Sequence, residues 1–409
     1  MNYRPEIDGL RALAVLPVVL YHSKINLFQG GFVGVDIFFV ISGYLITTII
    51  ISEMAEGKFS LVNFYERRAR RILPALFFVI VACIPFAWLW MIPVDLKNFG
   101  QSLVSVSIFS SNILFWLESG YFANASELKP LLHTWSVAVE EQYYILFPIF
   151  LMLTWRLGTQ KILIFLSIVF VTSLGFAQWS AYNFPSAAFF LLPTRAWELL
   201  VGVFAAFYLK YNTFLKSLFL NQILSLIGLG MIVFSIIAFD ESTPFPSFYT
   251  LIPTIGTGLI ILSSTKQTLT HNLLGSKVLV GLGLISYSAY LWHQPLLAAL
   301  AFNMPFEEHY FYKILVILIT LALAYLSYKF IEGPFRNKNQ ISKQVEIHCL
   351  NLPTEYKDIS DVFESKPETF DDILKDNDEI IEYLLNKFLK KESNKKSVFN
   401  YFRKITAKL

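Results

Sequence analysis

Ten apolar stretches, separated by short polar connections, fill the first 338 residues of the chain. Each is close to the ~20 apolar residues that a helix needs to cross the hydrocarbon core of a bilayer. The pattern predicts an all-α integral membrane protein with about ten transmembrane helices. We expect these helices near residues 10–28, 32–51, 72–92, 135–155, 162–182, 189–209, 222–239, 249–264, 279–301 and 311–331.

A further apolar stretch, residues 98–117, carries many Ser, Asn and Gln side chains. Such side chains favour packing against protein over exposure to lipid. A full span here would also place the loop with Arg156 and Lys161 outside the cell, whereas short loops with Lys and Arg remain in the cytoplasm. We therefore expect residues 98–117 to form a re-entrant or partly inserted helix on the outer side.

The densest positive cluster indicates the orientation of the spans. Arg67, Arg68, Arg70 and Arg71 lie in the predicted connection between the second and third helices. The positive-inside rule places this connection in the cytoplasm. With ten spans, both termini are then expected in the cytoplasm.

After residue 338 the chain changes character, because residues 339–409 are polar and rich in Lys, Glu and Asp. The sequence thus predicts a transmembrane domain over 1–338 and a polar cytoplasmic tail over 339–409. Residues 371–391 follow the pattern of an amphipathic helix. Such a helix would dock on a surface or on an envelope-assembly partner.

Composition supports a membrane protein and excludes several other classes. The chain is 55% hydrophobic and 15% charged, against roughly 25% charged residues in soluble domains. A formal net charge of +3 is too small to indicate a nucleic-acid partner. With two cysteines, Cys83 and Cys349, neither a disulfide framework nor a metal cluster is indicated. We expect no metal and no permanently bound cofactor.

Ionisable side chains inside apolar segments mark a candidate site, because lipid excludes them. Arg11 and His22 are eleven residues apart, so they share one helix face with about 16 Å between them. An arginine near the inner end of a span can bind an anion, and a histidine deeper in the membrane can accept a proton. Alternatively, Arg11 is a snorkelling positive-inside anchor and His22 a hydrogen-bonded core histidine.

Other polar residues are expected to line a pocket or to orient the first-helix histidine. His133 and Glu140 are seven residues apart on one helix face and are expected in the outer half, while Arg195 and Glu198 are one turn apart and can pair. Equally, these groups are structural clips between helices. Tyrosine and tryptophan within 287–292 are more typical of an interfacial aromatic belt. The candidates are Asp36, Ser42, His133, Glu140, Arg195, Glu198 and His293.

Seven sequence motifs across residues 3–337 closely resemble the membrane acyltransferase-3 family, in the same order and spacing. They are YRPEIDGLRALAVLPVVLYH, GGFVGVDIFFVISGYLIT, FYERRARRILPAL, LLHTWSVAVEEQYY, RAWELLVG, ISYSAYLWHQP and SYKFIEGPFR. The resemblance implies transfer of an acyl group, usually acetyl, from cytoplasmic acyl-coenzyme A to sugars or lipid-linked glycans on the outer side. It also implies that His22, with Arg11, is catalytic and that Arg68 and Arg71 match the donor-binding RxxR element.

The residues agree with that chemistry. Acyl transfer from a thioester needs a base for the acceptor hydroxyl and a site for the donor phosphates. Arginine suits phosphate because of its planar fork, and the segment with Arg67, Arg68 and Arg71 contains no lysine. Each of these arginines is otherwise a plain positive-inside signal.

We therefore expect a multi-pass O-acyltransferase of the bacterial inner membrane. It would use acetyl-coenzyme A as donor substrate and a cell-envelope polysaccharide, such as O-antigen, as acceptor. The alternative is a transmembrane carrier of acyl groups or solute. The opening resembles the branch in which an extra span and an outer SGNH-type esterase-like domain follow, but the chain ends 72 residues after Asn337. The membrane part is expected to act alone or with a partner.

Overall fold

The structure, a computed structural model, describes residues 3–119, 128–212, 217–303 and 310–336. Within these ranges the chain consists of helices joined by short turns, with no β-strand. By its internal contacts the chain divides into two units, Met1–Asn337 and Lys338–Leu409, and all described helices belong to the first. The amphipathic helix predicted near 371–391 lies outside the described residues.

The described residues form a bundle of long helices with shorter ones between them. The α-helices are α1 (Pro5–His22), α2 (Gly34–Ala55), α3 (Leu61–Trp90), α4 (Pro93–Ser107), α5 (Ser111–Glu118), α6 (Thr134–Thr154), α7 (Thr159–Asn183), α8 (Pro185–Phe190), α9 (Leu192–Tyr211), α10 (Leu218–Ala238), α11 (Leu251–Ser263), α12 (Leu269–Leu274), α13 (Lys277–Leu284), α14 (Ser286–Asn303), α15 (Tyr310–Ser327) and α16 (Gly333–Arg336). A π-helical turn, Tyr328–Glu332, joins α15 to α16.

Every predicted span coincides with one or more helices, and seven helical segments of the described residues are long and apolar enough to cross a membrane. The remaining predicted spans are not among these seven segments, for identifiable reasons. α1 carries Glu6, Asp8 and Arg11 within 18 residues, α14 is rich in Ser, Tyr, His and Gln, and α11 has only 13 residues. The chain is thus a multi-pass helical membrane protein. The count of ten and the cytoplasmic location of both termini remain predictions.

The arginine cluster lies in a helix and not in the predicted connection. α3 begins at Leu61, where the Ser60 hydroxyl accepts a hydrogen bond from the Asn63 N–H at 3.4 Å. Its 30 residues extend for about 45 Å, more than the ~30 Å hydrocarbon core. The extra turns at the N-terminal end carry the arginines, because a helix can extend beyond the apolar run that predicted its start.

The helices that carry candidate residues also have different bounds from those predicted. α1 begins at Pro5 and ends at His22, not at residue 28, so Asp8 and Arg11 are inside it. The predicted span 279–301 is broken at Ile285, between α13 and α14. Gly283, near the end of α13, lies against α1 so closely that a Cβ would be 1.8 Å from the Asp8 carbonyl oxygen. The close contact of α13 with α1 and the start of a new helix at Ser286 therefore go together.

Residues 98–117 form two helices instead of one. α4 and α5 are separated at 108–110, where Phe109 has a φ of 54°. The Gln142 side chain stabilises this turn, since its Nε2 donates to the Phe109 carbonyl at 3.0 Å and to the Asn112 side chain at 2.8 Å. Neither helix is long enough to span a bilayer alone. Ser102 and Ser105 are buried in protein as predicted, whereas Gln101 and Ser107 are exposed.

Among the seven apolar segments of the described residues, the one that contains α2 is the most buried. Its backbone directly contacts that of α9 at two glycines. A Cβ on Gly43 would be 2.0 Å from the Leu199 carbonyl oxygen, and one on Gly202 would be 2.0 Å from the Val40 carbonyl oxygen. Small residues at such contacts allow helices in lipid to approach closely.

Replacing Gly202 by Ala tests this contact. The added methyl group would force the α2 and α9 backbones apart, so we expect a loss of about 1–3 kcal/mol in stability. Denaturant-induced unfolding of the purified chain in detergent measures the change. Gly175→Ala is the matched control, because a Cβ on this α7 glycine meets no atom within 4 Å. Equal stability of the two variants would contradict the predicted backbone contact.

Candidate functional site

A cavity of about 810 Å³, part of it open to solvent, lies between α1, α2, α3, α6 and α14. Apolar side chains of α2 form much of its wall, and polar groups from the other helices project into it. The polar lining residues, with the tyrosines included, are Arg11, Ser42, Arg68, Arg71, Ser136, Glu140, Tyr144, Ser286, Tyr287 and Tyr290. The cavity therefore brings candidate residues from distant segments together around a sizeable volume.

Three arginines line one end of this cavity, which we call the arginine end. Arg11 is 8% exposed and its Nη1 is 3.4 Å from the Asp8 carboxylate. Arg68 and Arg71 form no ion pair or hydrogen bond with any described residue, and the Arg68 Nε is buried. Guanidinium groups with unused N–H donors in a partly buried cavity are suited to bind an anion.

The structure separates Arg67 from this group, although the sequence placed Arg67 together with Arg68 and Arg71. Arg67 does not line the cavity; its Nη2 donates to both carboxylate oxygens of Glu53, at 2.9 and 3.0 Å, on an exposed surface. The expected role of Arg67 in donor binding is therefore not supported by its position. Helical periodicity alone does not separate them, since residues 67 and 71 are one turn apart. The Glu53 carboxylate near the end of α2 holds Arg67 away from the cavity.

Glu140 and Ser42 connect α6 to α2 at the cavity wall. The Ser42 hydroxyl donates to Glu140 Oε1 at 2.5 Å. The Glu140 carboxylate is close enough to Arg11, Arg68 and Arg71 for their charges to interact, so it belongs to the arginine end. His133 and Glu140, which were expected together, lie about 10 Å apart along the axis of α6, with His133 beside Tyr290 and Glu140 at the arginine end. Their location in the outer half remains a prediction.

Tyr290 forms the opposite end of the cavity. Its hydroxyl is 2.7 Å from the Ser136 hydroxyl and donates to the His133 carbonyl at 2.9 Å. Tyr290 is 7% exposed and Trp292 is 8% exposed, and the Tyr287 hydroxyl donates to the Ile72 carbonyl at 3.0 Å. The interpretation of these residues as an interfacial aromatic belt is therefore wrong, since they pack inside the bundle.

Three histidines form a cluster behind Tyr290, which we call the histidine cluster. The His293 ring is 5.1 Å from the His22 ring and 5.2 Å from the His133 ring, measured between centroids. Tyr290 contacts His133 at 5.3 Å and His293 at 5.2 Å. His22 is the last residue of α1, His293 lies on α14, and His133 immediately precedes α6. No group of acidic, histidine or cysteine side chains in the described ranges has the arrangement of a metal site.

Backbone carbonyls determine which nitrogen of each histidine is basic. His22 Nδ1 is 3.0 Å from the Val18 carbonyl, and His293 Nδ1 bonds to the Tyr290 carbonyl. A carbonyl only accepts, so in each neutral ring Nδ1 carries the hydrogen and Nε2 has the free lone pair. The His293 Nε2 is buried and has no partner among the described residues. Both rings thus present a proton-accepting nitrogen.

The buried acidic residues do not orient His22. Asp36 and Glu198 both pair with Arg195 Nη1, at 2.7 and 2.8 Å, and all three side chains are 0% exposed. The Arg195 guanidinium also lies 5.2 Å from the Trp135 ring. The suggestion that a carboxylate orients His22 is therefore wrong, because the Val18 carbonyl does so, and the Asp36–Arg195–Glu198 cluster is a clip between α2 and α9.

Sequence reasoning missed a network beside the arginine end. Arg336 Nη2 is 2.7 Å from Glu332, and the Ser288 hydroxyl donates to the other oxygen of the same carboxylate. Arg336 and Arg71 are Coulombic neighbours. The signal was present in SYKFIEGPFR, where a glutamate and an arginine are four residues apart, but only the fold brings this segment to α1 and α3.

Comparison with known sequences adds an independent finding. Residues 4–329 match the acyltransferase-3 family, described as an acyltransferase domain. The chain is similar to O-acetyltransferase OatA of Staphylococcus aureus strain NCTC 8325, with 32% identity over 349 residues, covering 82% of this chain and 58% of the relative. It is also similar to peptidoglycan O-acetyltransferase OatA of Listeria monocytogenes, with 32% identity over 360 residues, covering 83% and 57%.

The chain spans somewhat more than half the length of these curated relatives. No solved structure matches it.

Arg195→Met tests the structural role of the buried cluster. It leaves two buried carboxylates without their cation, so we expect a loss of about 3–5 kcal/mol in stability, recovered in part when Asp36→Asn and Glu198→Gln are added. Unfolding in detergent measures stability, and substrate turnover is compared per folded molecule. Arg156→Met, at an exposed arginine, is the control. Unchanged stability with lost turnover would place Arg195 in the pocket instead.

Proposed function

The chain belongs to the acyltransferase-3 family, and from that premise we propose that its helical domain is a membrane O-acetyltransferase. It transfers an acetyl group from acetyl-coenzyme A to a hydroxyl of a cell-envelope glycan. The observation that carries the proposal is the cavity itself, which has three arginines at one end and Tyr290, backed by the histidine cluster, at the other.

The donor enters at the arginine end. Coenzyme A is a polyanion whose acyl thioester lies at the tip of a long, uncharged pantetheine arm. Arg68 and Arg71, which have no ion-pair partner among the described residues, are placed to bind the phosphates. Arg11 and His22 are separated by eleven residues of α1, about 16 Å, a distance that an extended pantetheine arm can bridge. The thioester would then lie near Tyr290.

The acyl transfer uses His22 as general base. His22 Nε2 takes the proton of the acceptor hydroxyl while the hydroxyl oxygen bonds to the thioester carbonyl carbon. The carbon–sulfur bond then breaks, and the departing sulfur of coenzyme A takes the proton back from Nε2. The Val18 carbonyl supports this role because it keeps the hydrogen of the neutral ring on Nδ1. His293 contacts the His22 ring and His133 contacts His293, so these two histidines shape the acceptor side.

The arginine end faces the cytoplasm and the histidine cluster faces outward in this proposal, with ten spans and both termini inside the cell. The positive charge of the α3 N-terminal turns supports this orientation. The name of the Listeria relative specifies peptidoglycan, which favours a cell-wall glycan over O-antigen as the acceptor. The protein resides in the bacterial cell membrane, and its tail is available to an envelope-assembly partner.

His22→Gln should reduce acetyl transfer by roughly 10²–10⁴-fold, because a positioned general base contributes about that factor. The measurement is O-acetyl release from purified cell wall, compared between cells that express equal amounts of each variant. His271→Gln is the control, since His271 lies on α12 and does not line the cavity. Its Nδ1 is 3.2 Å from the Glu6 carboxylate. A near-normal rate in His22→Gln membranes would overturn the role of His22.

Cysteine labelling tests the orientation. In a background where Cys83 and Cys349 are replaced by Ser, a membrane-impermeant maleimide added outside should label Ser119→Cys, after α5. It should not label Leu157→Cys, between α6 and α7, although Leu157 is 55% exposed. Labelling after membrane disruption checks that both thiols can react. The reverse pattern would place the arginine end outside and contradict entry of the donor from the cytoplasm.

A further inference from the structure

A fourth arginine lies at the rim of the arginine end. Arg336 does not line the cavity, but it is close enough to Arg11 and Arg71 for their positive charges to repel. Its side chain is 28% exposed. Arg11, Arg68 and Arg71 are inside the cavity. Three guanidinium groups thus lie inside the cavity, and a fourth, partly exposed, lies beside them on α16, which packs against α3.

Arg336 is held in place by a buried bracket. Glu332 is 0% exposed and uses one oxygen for Arg336 and the other for the Ser288 hydroxyl. Glu332 ends the π-helical turn Tyr328–Glu332. This conformation is rare in proteins overall, and where it occurs it is often at a functional site. The Tyr328 ring lies 5.6 Å from the Arg336 guanidinium. A long surface side chain is in this way confined to one orientation.

A comparable pair on α3 shows how this arrangement differs from an ordinary helix clip. Arg70 and Glu66 are also four residues apart, but both Nε and Nη2 of Arg70 meet the same carboxylate oxygen, at 3.0 and 2.9 Å. Arg336 pairs through Nη2 alone, and its buried Nε has no partner among the described residues. The Arg336 fork therefore keeps donors unused next to other cations. Unused N–H donors and neighbouring positive charges both favour the binding of an anion at Arg336.

We propose that Arg336, oriented by Glu332 and Ser288, binds the 3′-phosphate on the ribose of coenzyme A, whereas the arginines inside the cavity bind its diphosphate. The inference rests on the proposed function and names the part of the donor that this residue recognises. Along coenzyme A, the order from the thioester is pantetheine, diphosphate and then the ribose with its 3′-phosphate. With the thioester directed towards Tyr290, the group furthest from it must lie at the rim.

The test compares binding of coenzyme A and 3′-dephospho-coenzyme A to the full chain, purified in detergent, by isothermal titration calorimetry. A charge-assisted contact makes the wild type prefer coenzyme A by about tenfold or more. Arg336→Gln should bind both compounds with nearly equal affinity, and Arg336→Lys should keep part of the preference. Ser288→Ala, which removes a bracket contact, should reduce the preference less. Arg70→Gln is the matched control and should retain the full preference.

The preference ratio is measured within each variant, so a lower folded fraction does not alter it. A ratio in Arg336→Gln equal to that of the wild type would overturn the assignment of Arg336 and leave the proposed donor intact. Equal binding of both compounds by the wild type would do the same. If the wild type binds neither compound, while His22→Gln still lowers wall acetylation, the donor is not coenzyme A and both proposals on the donor fail.

Discussion

Ionisable side chains persist in the middle of this bundle only because other helices shield them from lipid and provide partners for them. An isolated charge at membrane depth is expensive, and the expense falls when the charge is paired or faces a polar cavity. α2 shows both solutions. Asp36 on one part of the helix is fully buried against Arg195, while further along Ser42 lines the cavity and donates to the Glu140 carboxylate there. The close α2–α9 contact at Gly43 and Gly202 holds this arrangement together.

The same requirement divides the polar groups by role. Arg195 pairs through Nη1 with two carboxylates and donates through Nε to the Phe189 carbonyl, although its buried Nη2 has no partner among the described residues. Arg68 and Arg71 are instead left with unused donors in a cavity, within the part of the chain that is described. A buried arginine indicates a binding site when it lines a cavity and its charge is not already paired with a carboxylate of the protein.

The histidine cluster illustrates how backbone geometry sets chemistry. No carboxylate among the described residues bonds to His22; a carbonyl one turn earlier in α1 does so. An accepting carbonyl fixes the neutral tautomer without adding a charge that the membrane interior would have to accommodate. The Tyr290 ring, which contacts His133 and His293 on one side and lines the cavity on the other, is the physical link between the two ends.

The sequence by itself determined that the chain forms long apolar helices and that Arg11 and His22 share one helix face, because these follow from hydropathy and from the 3.6-residue period of one helix. It also carried the family motifs that the comparison bore out. It did not reveal that Arg67 faces away from the cavity or that α13 and α14 are separate helices. It also did not reveal that Asp36 forms an ion pair with Arg195 and does not orient His22. These outcomes depend on which helices become neighbours. Residues as far apart as Arg11, Arg71 and Arg336 meet only after long-range packing, for which local periodicity contains no information.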